Sequence, residues 1–263
     1  MTELAESIAF SVDDSSECPF SHEPVEHKKK NVVPEPDTKN NATTLSNNLD
    51  ADSKHLKPIN IKFKVGTADH DHVAQFSAHH LVPGNEAWPK SDLYKWIDHR
   101  PGHIIADIGY DVNKASNGID LPSHTTEKSW SAKTPGFQRE FAFACMEADT
   151  GKRQFHDRHP AYSKFVVKVL NKIAAKLEVK ETPGCGHKNC TAGNKKPFAP
   201  PYELNMKLDG VSGRLRKYLK GDESKWRKPL MTSRFALMYH NRASIPGMTQ
   251  DQARSELSVD NFA

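Results

Sequence analysis

Two adjacent histidines, His79 and His80, sit in the stretch Gln75-Phe76-Ser77-Ala78-His79-His80-Leu81-Val82-Pro83-Gly84-Asn85. Successive residues of a strand point to opposite faces, so such a pair can hold a metal with one ring and present the other as a base. For this dipeptide alone, the competing reading is a pair of partly buried structural histidines. The remaining histidines bear on the choice: nine of the 14 in the chain lie between positions 58 and 180. Clustering of a residue type that both ligates metals and titrates near neutrality calls for a chemical explanation.

The elements that must position these rings follow from hydrophobic pattern. Ile59, Ile61, Phe63 and Val65 alternate with polar residues, which predicts a half-buried strand ended by Gly66. Asp69-His70-Asp71-His72 reads as a turn before the His79-His80 strand, which closes at Pro83-Gly84-Asn85. Ser91 is placed to N-cap a helix starting at Asp92, with a second short helix over Ile104 to Ile108. Asn117-Gly118 reads as a tight turn into a short strand, Ile119 to Leu121, terminated by Pro122. Phe137 to Ala148 reads as an apolar helix. Pro160 suits the first position of another, with Tyr162, Phe165, Val166, Val169, Leu170, Ile173, Ala174 and Leu177 on one face. His156 and His159 stand at the entry of that helix, three positions apart.

Composition divides the chain. Residues 1–57 carry 6 Lys/Arg against 11 Asp/Glu, whereas residues 58–263 carry 31 against 22. The acidic first segment, rich in Pro, Asn, Ser and Thr, is expected to be a flexible leader. A basic body behind it suits a polyanionic partner. With no run of 18 apolar residues and no secretory signal at the start, no membrane role is expected. Four cysteines are too few and scattered for a disulfide scaffold, which points to folding in a reducing cytoplasm.

Residues 181–263 hold 14 Lys/Arg against 8 Asp/Glu and are expected to form a mainly helical, basic extension. Within it Cys185, His187 and Cys190 have the ligand types of a second, structural zinc site, though only three are near one another. Arg214, Arg216, Lys217, Lys225 and Arg227, interleaved with Tyr218 and Trp226, are candidates for contacts to nucleic-acid phosphates.

Ala78-His79-His80, then Asn117-Gly118-Ile119-Asp120-Leu121-Pro122, then His159-Pro160-Ala161-Tyr162 with its Val/Leu-rich helix, follow a β-β-α order. This order resembles the His-Me finger, or HNH, nucleases, and within them the AHH family of bacterial polymorphic-toxin nucleases. The resemblance covers roughly residues 75–180 and departs in the stretch from Ser123 to Gln154, where a more compact connection is expected. It implies an α+β fold: a ββα-metal nuclease core over residues 58–180 with added helices, between the leader (1–57) and the extension (181–263). It implies a metal-dependent, sequence-nonspecific DNase in which His79, His156 and His159 hold one divalent ion and His80 is the general base. Asn117, through its side chain or backbone, would orient His80. His124 competes with His156 and His159 for a place in the site. Mg, Mn, Ni and Zn are not distinguished. The same resemblance implies an antibacterial effector made in the bacterial cytoplasm and delivered without a signal peptide, with a cognate immunity protein and a secretion-machine partner such as a type VI system. The alternatives are a zinc-stabilised nucleic-acid-binding or adaptor module, and a housekeeping HNH endonuclease.

Overall fold

The computed structural model describes Leu4, residues 38–181 and residues 200–242. Cys18 and the trio Cys185, His187 and Cys190 lie outside the described residues. The fold is α+β, combining a three-stranded sheet of order β1-β2-β3 with helices. The strands are β1 (Ile59–Val65), β2 (Ala68–His80) and β3 (Gly118–Ser123). The principal helices are α1 (Ala42–Ala51), α2 (Pro135–Ala148), α3 (Pro160–Glu181), α4 (Leu204–Leu219) and α5 (Arg234–Asn241). No helix among the described residues is long and apolar enough to cross a membrane.

The chain forms two compact units, each assembled from three separate segments. One comprises residues 1–41, 80–117 and 163–214; the other comprises 42–79, 118–162 and 215–263.

In the second unit β1 and β2 are antiparallel, from Ile59 opposite Ala74 to Val65 opposite Ala68. Ile61, Phe63 and Ala74 turn inward onto Phe137 and Phe141 of α2, and Phe155, Trp226 and Phe235 complete this core. Thr134 caps α2 by accepting a hydrogen bond from Phe137 N (3.3 Å), satisfying one of the helix's orphan donors. The segment 69–72, expected to be a turn, is instead the first part of β2. The pairing explains it: Asp69 and Asp71 face Lys64 and Lys62 across the ladder, each pair 3.4 Å apart, while the His70 and His72 rings lie against Phe63. Alternation of charge and imidazole is a strand pattern once a partner strand exists.

β3 starts at Gly118, where a Cβ would stand 2.7 Å from Leu45 Cδ1 of α1. Any larger residue here would force the Leu45 side chain to shift. Leu45 and Leu49 are buried, so part of the stretch expected to be a flexible leader is a packed helix. β3 runs through Pro122 to Ser123, not stopping before the proline as expected. Pro122 lacks a donor, but its carbonyl accepts from His156 N at 2.8 Å.

In the first unit, the expected helix at Asp92 is a short 3-10 turn, Asp92–Trp96. Ser91 does not cap it with its side chain; its hydroxyl donates to Trp88 O instead (3.0 Å). No helix forms over 104–108. Asp107 accepts from both the backbone and the ring of His99, and Ile108 N donates to Ile97 O, which pulls the segment into a loop. Residues 38–41 are anchored as well: Asn40 Oδ1 accepts from Gly84 N and Asn41 N donates to Asn113 Oδ1. The apolar face of α3 is buried at all eight positions that the pattern marked.

Candidate metal centre and its flanking histidine

Within the second unit, three imidazoles converge. His79 Nδ1 lies 3.3 Å from His156 Nε2, which lies 3.1 Å from His159 Nε2. Each ring arrives by a different route. His79 is the penultimate residue of β2, in the strand whose Ser77 hydroxyl bonds Ser123 of β3 at 2.7 Å. His156 is held by its backbone: N–H to Pro122 O, a bridge to Ser123, and a neighbour, Asp157, whose N–H donates to Thr232 O. Gln154, fully buried, steadies the approach by donating to Tyr218 O and accepting from Thr232 N. His159 precedes Pro160 at the start of α3, and its carbonyl accepts from Tyr162 N (3.0 Å). The Tyr162 ring packs edge-on against both His79 and His159.

Three ring nitrogens at this spacing fit a metal. Metal–nitrogen bonds of 2.0–2.1 Å in a tetrahedron place ligand nitrogens about 3.3 Å apart. Ligation needs neutral imidazole. Burial, with His159 and His124 nearby, pushes the His156 pKa down to about 3. These three residues form one of two groups among the described residues able to hold an ion; Asp98, His99 and Asp107 form the other. In that second group Asp98 is committed to Arg100 and Tyr94.

His80 belongs to the first unit, where its Nε2 lies 2.9 Å from Asn113 Oδ1. Both faces of the Asn113 amide are assigned by backbone groups: Nδ2 donates to Lys39 O and Oδ1 accepts from Asn41 N. Oδ1 is therefore the acceptor and the His80 Nε2 carries a proton. In the neutral ring the basic lone pair is then on Nδ1.

Asn117 is engaged with the surrounding backbone. Its carboxamide bonds Val82 N and O, Val112 O and the Ser212 hydroxyl, which uses both donors and both acceptor positions. Its carbonyl accepts from Leu81 N. Asn113, four residues earlier, is a hydrogen-bond partner of His80; Asp111-Val112-Asn113 carries no spacing that would have singled it out. His124 stands outside the trio: its ring stacks on Trp130 (4.7 Å, 4°), with Nε2 3.6 Å from Asp157.

Of the basic candidates, Lys217, Lys225 and Arg227 are exposed, Arg214 and Arg216 half-buried. Arg216 donates to Gly118 O, and Arg227 to Ser224 O and Trp226 O. Trp226 is buried in the core and so offers no stacking surface.

Residues 63–183 match the family model AHH, described as a nuclease family of the HNH/ENDO VII superfamily with conserved AHH. The matched stretch includes Ala78-His79-His80, Asn113, His156 and His159. No curated protein and no solved structure matches the chain. The match to the AHH nuclease family of the HNH/ENDO VII superfamily thus covers residues 63–183, under half of the chain, and nucleic acid is the substrate class that such a match implies.

Proposed function

We propose that the protein is a metal-dependent, sequence-nonspecific DNA endonuclease with a ββα-metal core, in which His79, His156 and His159 hold one divalent ion and His80 is the general base. The observation that carries this reading is the convergence of three imidazole nitrogens, 3.1 and 3.3 Å apart, at the family's own histidine. An ion bound there would polarise the scissile phosphate and stabilise the leaving oxyanion. An all-imidazole donor set favours Zn or Ni over Mg and Mn, which prefer oxygen. Neutral His80, its Nε2–H donated to Asn113, takes the proton of the attacking water at Nδ1. The buried surroundings of His156 favour the neutral ring that ligation needs.

The proposal extends to an antibacterial role. The support is the resemblance of the Ala-His-His and His-Pro segments to polymorphic-toxin nucleases. On this reading the enzyme is made in the producer's cytoplasm and delivered without a signal peptide to the target cytoplasm. A contact-dependent machine, such as a type VI secretion system, carries it, and a cognate immunity protein shields the producer. Residues 1–57 would serve loading and residues 181–263 substrate or partner binding.

Plasmid cleavage by purified protein, treated with EDTA and resupplied with Mg, Mn, Ni or Zn, tests the enzyme. Cleavage that needs both metal and His80 supports it; metal-independent cleavage, or none with any ion, refutes it. Toxicity on cytoplasmic expression in bacteria, absent with His80→Ala and relieved by the product of a small adjoining gene, tests the effector role.

A further inference from the structure

A cavity of about 340 Å³ lies beside β3, lined entirely by residues of the second unit. Its walls are unlike a packing defect. Leu49, Leu56 and Ile119 give it apolar sides, and Lys54, Arg153 and the pair Arg216 and Lys220 at the end of α4 supply four cations from three stretches of chain. Arg153 is tied to Asp149 (2.7 Å), so its charge is partly spent. Among the described residues Lys54 pairs with exposed Asp52, a contact worth little in water. Arg216 is oriented by its bond to Gly118 O, and Lys220 is exposed.

The sole carboxylate of the lining is Asp120, on β3. Its Oδ2 accepts from Leu56 N (2.7 Å) and from the His55 ring (2.8 Å), whereas Oδ1 is buried with no hydrogen-bond partner among the described residues. A buried acceptor left without a donor is uncommon and points to a missing partner. Apolar walls, one hydrogen-bond acceptor and a cationic border together describe a ligand with a flat apolar body, an N–H edge and an anionic end. The volume falls within the range of pockets that enclose a small organic molecule.

We propose that this cavity takes one nucleotide unit of the nucleic-acid strand, with the base between Leu49, Leu56 and Ile119, a base N–H on Asp120, and the phosphate on Lys54, Arg216 and Lys220. The identity of the strand rests on the nuclease reading; the pocket itself does not. The site is a nucleotide subsite on β3, separate in residues from the histidine trio, and it gives the enzyme a grip on base as well as backbone.

Binding of a fluorescent single-stranded pentanucleotide in EDTA, followed by anisotropy, tests the proposal without cleavage. The same backbone lacking its bases is the comparison, and plasmid cleavage is assayed in parallel. Expected results are at least tenfold tighter binding of the base-bearing oligomer, and at least tenfold weaker binding by K54Q/K220Q. Leu56→Trp, which fills the cavity without changing charge, is expected to remove the preference for bases. Circular dichroism establishes that each variant is folded. Equal binding of the two oligomers by wild type would overturn the pocket. So would a Leu56→Trp protein, or the milder Leu56→Phe, that keeps the preference. Either result together with intact metal-dependent cleavage would leave the nuclease standing, whereas base-dependent binding without cleavage would retain the pocket and sink the nuclease.

Discussion

The Nε2 of His80 lies 2.9 Å from the Oδ1 of Asn113, and that amide is itself oriented by the backbone of Lys39 and Asn41. The arrangement fixes the His80 tautomer through residues outside the Ala-His-His motif. Asn113→Ala should therefore lower kcat roughly 10–100-fold, the range seen when a partner that orients a functional imidazole is lost. It should also shift the pH profile of cleavage, which a merely structural residue would not do. Cleavage rates from pH 5 to 9 for wild type and variant check this; an unshifted profile refutes the positioning role.

Asn117→Ala should act on stability. Its carboxamide makes four hydrogen bonds inside the fold, and each buried partner left unsatisfied costs about 1–3 kcal/mol. Urea denaturation should show a clear loss of midpoint, with activity per folded molecule near that of wild type.

His80→Ala should reduce cleavage by about 10²–10⁴-fold, the usual contribution of a general base, while metal content stays near that of wild type. His79→Ala, His156→Ala and His159→Ala should each lower metal occupancy at a fixed free concentration. His124→Ala should not, because that ring is stacked on Trp130 outside the trio. Metal analysis after gel filtration distinguishes the two groups.

Thr134→Ala should destabilise by about 1 kcal/mol, the typical value of a lost N-cap. The helix it caps carries Phe137 and Phe141 onto β1. A melting curve at neutral pH measures the loss; Thr134→Ser should restore most of it.

Acid should weaken the fold partly through His103. Burial, with Lys95 adding to it, lowers its pKa, and its ring stands edge-on to Trp96 at 4.0 Å. Below about pH 6.5 the unfolded chain takes up a proton on this ring more readily than the fold does. The unfolded state then binds more protons, so stability rises with pH in that window and is lost as pH falls. Melting temperatures at pH 7.5 and 5.5 should diverge more for wild type than for His103→Gln.

By itself the sequence determined which side chains could ligate a metal, where the long amphipathic helix α3 begins, and the family that residues 63–183 match. Those features are local: eight apolar residues at helical spacing, a proline at the first helical position, an Ala-His-His tripeptide. Tertiary structure decided the rest. The stretch 69–72 became strand because its aspartates meet Lys62 and Lys64 across the ladder. Residues 42–51 became a packed helix because Leu45 and Leu49 close over Gly118. The pairing of His80 with Asn113, and the meeting of His156 and His159 with His79, depended on backbone partners far away in the chain. Local pattern specifies how a segment folds against water. It does not specify which distant carbonyl or amide will meet a given side chain, and those partners decide which imidazole is aimed where.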